Sequence, residues 1–109
     1  MPETAGQVHR STLADHPDVG PVLPMFVRRL SGHVERMRGA LGAGKTEDLV
    51  RIVHQLRGAG KSFGFEPITT HAAAVEEILL AGRPLAEVAP ALDRLIDYVE
   101  HVEGYAEDG

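Results

Sequence analysis

His54, Arg57, Gly58 and Lys61 fall at positions i, i+3, i+4 and i+7 of one segment, the spacing that stacks residues on a single face of a helix. With Leu49 set at zero and about 100° per residue, Leu49, Ile52, Val53, Leu56, Gly60 and Phe63 fill an apolar arc from about −80° to +40°. His54 lies near 140°, outside that arc, flanked by Arg57 at about 80°, Lys61 at about 120° and Gly58 at about 180°. It therefore points to solvent. An imidazole, with an ordinary pKa of about 6.5, is a competent nucleophile near neutral pH. Attack on a phosphoryl group gives a phosphoramidate reactive enough to pass the group on. Arg57 and Lys61 are placed to lean over the transferred oxygens and offset their charge. A glycine inside a helix costs about 1 kcal/mol against alanine, so Gly58 calls for a reason. The bare backbone it leaves would let another protein's active site close over His54. Val50, one turn earlier at about 100°, is expected to expose a methyl-bearing surface to that partner. The cluster offers neither a metal site nor a general base, so Mg²⁺ and the acid are expected from the partner.

The elements that hold this face follow from periodicity. Leu23, Phe26, Val27, Leu30, Val34, Met37 and Leu41 form one helical stripe, with Pro24 tolerable in the first turn and Gly42 and Gly44 ending it. Thr46 offers an N-cap hydroxyl to the His54 helix, with Glu47 and Asp48 in its first turn and Gly64 at its end. A third helix opens near Pro67, buries Ile68, Ala72, Val75, Ile78 and Leu79, and ends at Gly82. The fourth starts near Pro84 and follows Leu85, Val88, Leu92, Leu95, Ile96, Val99 and Val102. Pro90 within it predicts a kink or a late start. No stretch has the period of a strand. Four amphipathic helices with short connections predict an all-α, antiparallel up-down-up-down bundle. Residues 10–16 predict a short N-terminal helical turn, and residues 1–9 a disordered tail before a domain over 10–106.

Composition narrows the function classes. The chain has 109 residues, 11 Lys and Arg against 16 Asp and Glu, and a formal net charge of −5. That balance argues against nucleic acid and anionic membrane surfaces as partners. No apolar run reaches the length of a membrane span, and the first residues lack a secretory pattern, so a cytoplasmic setting is expected. Cysteine is absent, which removes disulfides, thiolate metal sites and a thiol nucleophile. Hydrophobic residues make up 43% but aromatic residues only 5%, a balance suited to a helical Ala/Leu/Val core.

The run His54-Gln55-Leu56-Arg57-Gly58-Ala59-Gly60-Lys61-Ser62-Phe63-Gly64-Phe65 resembles the signature of histidine-containing phosphotransfer (HPt) domains, His-x-Leu-Lys-Gly followed by small residues and a later Gly. Phe26 to Leu41 is similar to the first core helix of that family. Ile68 to Glu76 is similar to the helix after the signature, including its characteristic Glu76. The resemblance spans residues 13–103. It implies a four-helix bundle in which His54 is the phospho-acceptor, exchanging the group with receiver-domain aspartates of response regulators and with a sensor or hybrid histidine kinase. It implies a phosphorelay carrier rather than an autonomous enzyme, without kinase activity or cofactor of its own; a monomer is the default. Arg57 replaces the usual Lys, keeping charge but changing geometry. Gly60 stands where Ser or Ala is commoner and is expected to loosen the helix slightly. The alternative is a non-phosphorylated helical adaptor that only binds signalling partners, a reading that leaves the cations around His54 without a task.

Two other patterns suggest different chemistry. Histidine metal sites in bundles draw on inward Glu-x-x-His pairs, and here no Glu lies three residues before any of the six His. His71 and His33 flank apolar stripes, His101 faces solvent, and His9 and His16 belong to the tail and early loop. Gly39-Ala40-Leu41-Gly42-Ala43-Gly44-Lys45-Thr46 fits the P-loop pattern letter for letter. A P-loop, however, needs a buried strand before it, and Ser31 to Arg38 has helical period. The motif reads as one helix ending and another beginning. Lys45→Ala is accordingly expected to leave stability unchanged, and calorimetric titration of the wild type with ATP to show no binding; a micromolar affinity would overturn this reading.

Overall fold

A computed structural model describes residues 8–106 of the chain; residues 1–7, most of the expected tail, lie outside the described part. Four helices account for its bulk: α1 (Leu23–Gly42), α2 (Thr46–Ser62), α3 (Glu66–Leu80) and α4 (Leu85–Glu100), preceded by a 3₁₀ turn at Gly20–Val22. No strand occurs among the described residues. Each helix packs on its neighbours in sequence, and α1 closes the ring on α4. With links of only three or four residues between them, successive helices run antiparallel. The predicted bundle is the observed one.

The stripes pack as the periodicity requires. Leu30, Val34, Met37, Leu49, Val53, Leu56, Ile68, Val75, Leu92, Leu95 and Val99 are all buried in one core. Ala40 rather than Leu41 is the buried end of the α1 stripe, and Phe63 and Ile78 are half-buried at its rim. Each such stripe is held by area removed from water, since helices this short are marginal alone.

Three local expectations need correcting. Thr46 is already the first residue of α2; Lys45 occupies the cap position, and no side chain bonds the exposed amides there. Of the kink or late start expected from Pro90, the late start does not occur: α4 begins at Leu85 and carries the proline inside it. The packing of Val88, Ala91 and Leu92 on either side outweighs the single lost backbone bond. Gly60 does not loosen its helix: it is buried, and a Cβ there would come within 2.8 Å of the Ile68 Cβ and 2.9 Å of the Thr69 nitrogen. Its lack of a side chain is what lets α3 lie directly on the α2 backbone.

The segment before α1 straps the end of the bundle. Residues 11–16 form two overlapping four-residue turns, Ala14 N–H to Ser11 C=O and His16 N–H to Leu13 C=O, where a short helical turn is expected from the sequence. Buried Ser11 donates to Phe63 C=O at 2.6 Å and accepts from Leu13 N–H at 2.9 Å. Gly64, at φ +84°, closes α2 in the left-handed region, where a side chain would also strike Ser11. His9, assigned to the disordered tail from sequence, is anchored. Its N–H donates to His101 C=O and its C=O accepts from Glu103 N–H, while its ring stacks on Tyr98 with centroids 3.9 Å apart.

Candidate functional site

His54 sits in the middle of α2 with its side chain 68% exposed, as the wheel requires. Its ring is nevertheless tethered. Nδ1 lies 2.8 Å from Oε2 of Glu76, a residue of α3. The other carboxylate oxygen, Oε1, accepts from the Arg57 guanidinium at 2.6 Å. Glu76 is buried, only 5% exposed, so one inward carboxylate holds two outward side chains of the neighbouring helix.

The electrostatics fix the ring's tautomer. Burial alone would raise the Glu76 pKa, but the Arg57 hydrogen bond leads and, with the His54 contacts, holds it below the ordinary carboxylate value. Glu76 is therefore ionised at neutral pH and can only accept hydrogen bonds. In the neutral His54 ring the proton therefore lies on Nδ1, donated to the carboxylate, and Nε2 carries the lone pair. With Nδ1 bonded into the protein, Nε2 is the nitrogen left to solvent. An exposed imidazole is thus held in one orientation without being enclosed.

The other sequence-predicted residues divide. Gly58 meets nothing within 4 Å of where a Cβ would stand, so open space adjoins the imidazole on the turn after it. Arg57, half-exposed at 50%, stands beside His54 but is engaged with Glu76, which sequence reasoning did not foresee. Lys61 is exposed one turn further on; its backbone N–H, not its ammonium, makes the contact to α3, donating to Thr69 Oγ1 at 2.8 Å. Val50 is half-buried against the core edge rather than fully exposed, because the wheel ignores the flanking helices that shade the boundary of the arc. The remaining histidines stay apart from this cluster: His33 and His101 bond backbone oxygens of their own helices, and His71 lies near Tyr98. Among the described residues no group of His, Asp and Glu is arranged to hold a metal ion, and no helix is long and apolar enough to cross a membrane.

The residue that sequence reasoning undervalued is Glu76. It was noted only as part of a family pattern, yet its position carried a signal: it stands four residues after Ala72 and three before Leu79, both buried. A carboxylate inside an apolar stripe has to find donors, and the helix facing it offers His54 and Arg57.

A family model for the Hpt domain matches residues 21–105. No curated protein and no solved structure matches the chain.

Because its pKa is lowered, the Glu76 charge stabilises the folded state fully above the ordinary value of 4.5, and this contribution is lost as pH falls through the lowered folded value. Glu76→Gln is expected to flatten the acid limb of the stability–pH curve. Near neutral pH it should cost about 1.5–3 kcal/mol, the range for hydrogen bonds to charged groups. Urea denaturation at a series of pH values measures both.

Proposed function

The chain belongs to the Hpt domain family, whose work is phosphotransfer in two-component signalling, and we propose that it carries a phosphoryl group on Nε2 of His54, taken from and returned to receiver-domain aspartates. The observation that carries this reading is the hydrogen bond from His54 Nδ1 to the buried Glu76 carboxylate at 2.8 Å, in an imidazole whose opposite nitrogen faces solvent.

In the accepting direction the Nε2 lone pair attacks the phosphorus of the partner's aspartyl phosphate. The Nε2–P bond forms, the P–O bond to the aspartate breaks, and the electron pair leaves with the carboxylate. No proton has to move, because Nε2 carries none. Positive charge develops on the ring as the bond forms, and Glu76 stands against Nδ1–H to offset it. Donation to a receiver is the same path reversed, with Glu76 holding the ring in one orientation throughout. Arg57 contributes on the other side. Its fork has further N–H groups beyond the one bonded to Glu76, and from its half-exposed position these reach toward transferred oxygens. Lys61 adds a more distant cation to the same face. The Mg²⁺ this chemistry uses is proposed to come with the receiver, since the carboxylate that meets His54 is already occupied by His54 and Arg57. Gly58, with Val50 at the edge, forms the gap into which the receiver's active site closes. The partners proposed are therefore a receiver domain and the sensor or hybrid kinase upstream, met by a cytoplasmic monomer.

Two experiments test this. Incubation with a small phosphodonor or a phosphorylated receiver should give acid-labile, base-stable label. His54→Gln should abolish it, whereas His71→Gln and His101→Gln should retain it; label persisting on the His54 variant would overturn the assignment of His54, and label never appearing on the wild type would leave the adaptor reading in its place. Gly58→Gln separates folding from function. Removing a helix-interior glycine in open space should raise stability by up to about 1 kcal/mol. The new side chain would fill the docking gap, and a misplacement near 1 Å can cost about a hundredfold. The variant should melt later, exchange slowly with a receiver, and still accept from a small phosphodonor.

A further inference from the structure

A second contact between α2 and α3 lies one level below the His54–Glu76 bond. The hydroxyl of Thr69 accepts from Lys61 N–H at 2.8 Å and donates to Arg57 C=O at 2.7 Å. Those are the two groups that an α-helix joins directly, since each amide normally reaches the carbonyl four residues back. Thr69 thus enters the hydrogen-bond ladder of α2 in the turn that contains Arg57 and Gly58. It can do so because Gly60 offers no Cβ: one there would stand 2.9 Å from the Thr69 nitrogen.

Thr69 and Glu76 are seven residues apart on α3, and Lys61 and His54 are seven apart on α2. Seven residues bring a helix back to within about 20° of the same face, about 10.5 Å along its axis. The contacts Lys61–Thr69 and His54–Glu76 are therefore two rungs in the same antiparallel register. The lower rung is made to backbone atoms, which have no rotamers to adjust. The upper rung is made between side chains, one of them mostly exposed. A shift of α3 along α2 would be resisted by the first and felt by the second.

We propose that Thr69 is a positioning residue for phosphoryl transfer: its hydroxyl, admitted by Gly60, fixes the register of α3 on α2 that holds Glu76 against His54 Nδ1. The proposal rests on His54 being the phospho-acceptor and concerns what keeps that ring in its reactive orientation. Thr69 touches neither the ring nor the phosphoryl group. It acts through Glu76, and through the Arg57 carbonyl on the residue whose guanidinium shares that carboxylate.

Thr69→Val keeps the branched shape and removes the hydroxyl, and Thr69→Ser restores it. Ring ¹⁵N shifts of His54 report which nitrogen carries the proton. The wild type should show the Nδ1–H form, Thr69→Val a mixture of tautomers, and Thr69→Ser a return to the wild-type pattern. Labelling of His54 by acetyl phosphate, which needs no docking surface, should slow by about tenfold in Thr69→Val and recover in Thr69→Ser, a loss on the scale of a sub-ångström misplacement. Circular dichroism establishes that the variants are folded; where Thr69→Val is not, Thr69→Ala, which leaves room for a water at the hydroxyl position, takes its place. A folded hydroxyl-free variant with wild-type ¹⁵N shifts and labelling rate would overturn the proposal, as would a Thr69→Ser variant no better than Thr69→Val. A role in stability alone would lower the melting temperature and leave the tautomer unmoved. If the wild type takes no label at all, the phosphotransfer reading fails instead, and the ¹⁵N shifts still decide whether Thr69 sets the ring.

Discussion

A carboxylate inside a hydrophobic core must be met by hydrogen-bond donors, and in this bundle the donors for Glu76 come from the facing helix. Stripped of partners, that charge would cost more than a small domain can spare. Its two oxygens are instead taken by His54 and Arg57, and the arrangement lowers the Glu76 pKa in spite of burial. Much of the fold can be understood from what this requires. The carboxylate must approach α2 closely, so the α2–α3 seam is opened by Gly60, where a side chain would collide with Ile68 and Thr69. The approach must also come at the right height, and the short link of Phe63, Gly64 and Phe65 brings the chain back at once. Ser11 and Thr12 brace that link by bonding the carbonyls of Phe63 and Gly64.

The same constraint explains which parts of the structure were legible in the sequence. The four helices could be read because each carries an apolar stripe of unmistakable period, and the exposure of His54 could be read because it violates one. What could not be read from one helix at a time were the relations between helices. Arg57 looked like a cation waiting for phosphate; the structure shows it bound to a carboxylate nineteen residues away. Gly60 looked like a weak point in a helix, whereas its smallness belongs to the neighbour that presses on it. Val50 was judged by its own wheel and turned out half shaded by the rim of the core. His9 illustrates a different blindness. It is held by two backbone bonds and a ring stack, and backbone bonding at a chain end leaves no periodic trace for a sequence reading to find.

Replacing the family's usual lysine by arginine at position 57 has a physical consequence at this site. An ammonium beside Glu76 would be a point charge with three equivalent donors, free to leave the carboxylate for an incoming phosphoryl group. A guanidinium is planar and extended, so one edge can stay on Glu76 while another edge is offered outward. The structure shows the inward half of that bridge, at 2.6 Å. Its outward half would form when three phosphoryl oxygens arrive beside a residue already held in place, with less side-chain freedom left to lose.

On the proposed reading, the exposure of His54 and the burial of its partner would serve opposite needs of one carrier. A residue that must meet several proteins has to stand in solvent, where side chains ordinarily sample many rotamers. A nucleophile that must attack in line cannot be allowed that freedom, because small errors of placement are expensive. The bundle separates the two demands between the two nitrogens of one ring. Nε2 is left to solvent, on the face that Gly58 keeps open. Nδ1 is given to Glu76, whose own position is set by the core residues Ala72, Val75 and Leu79 around it on α3. The rigidity of the interior is thereby transmitted to an exposed ring through a single hydrogen bond, and a side chain standing in solvent can still be held in one orientation.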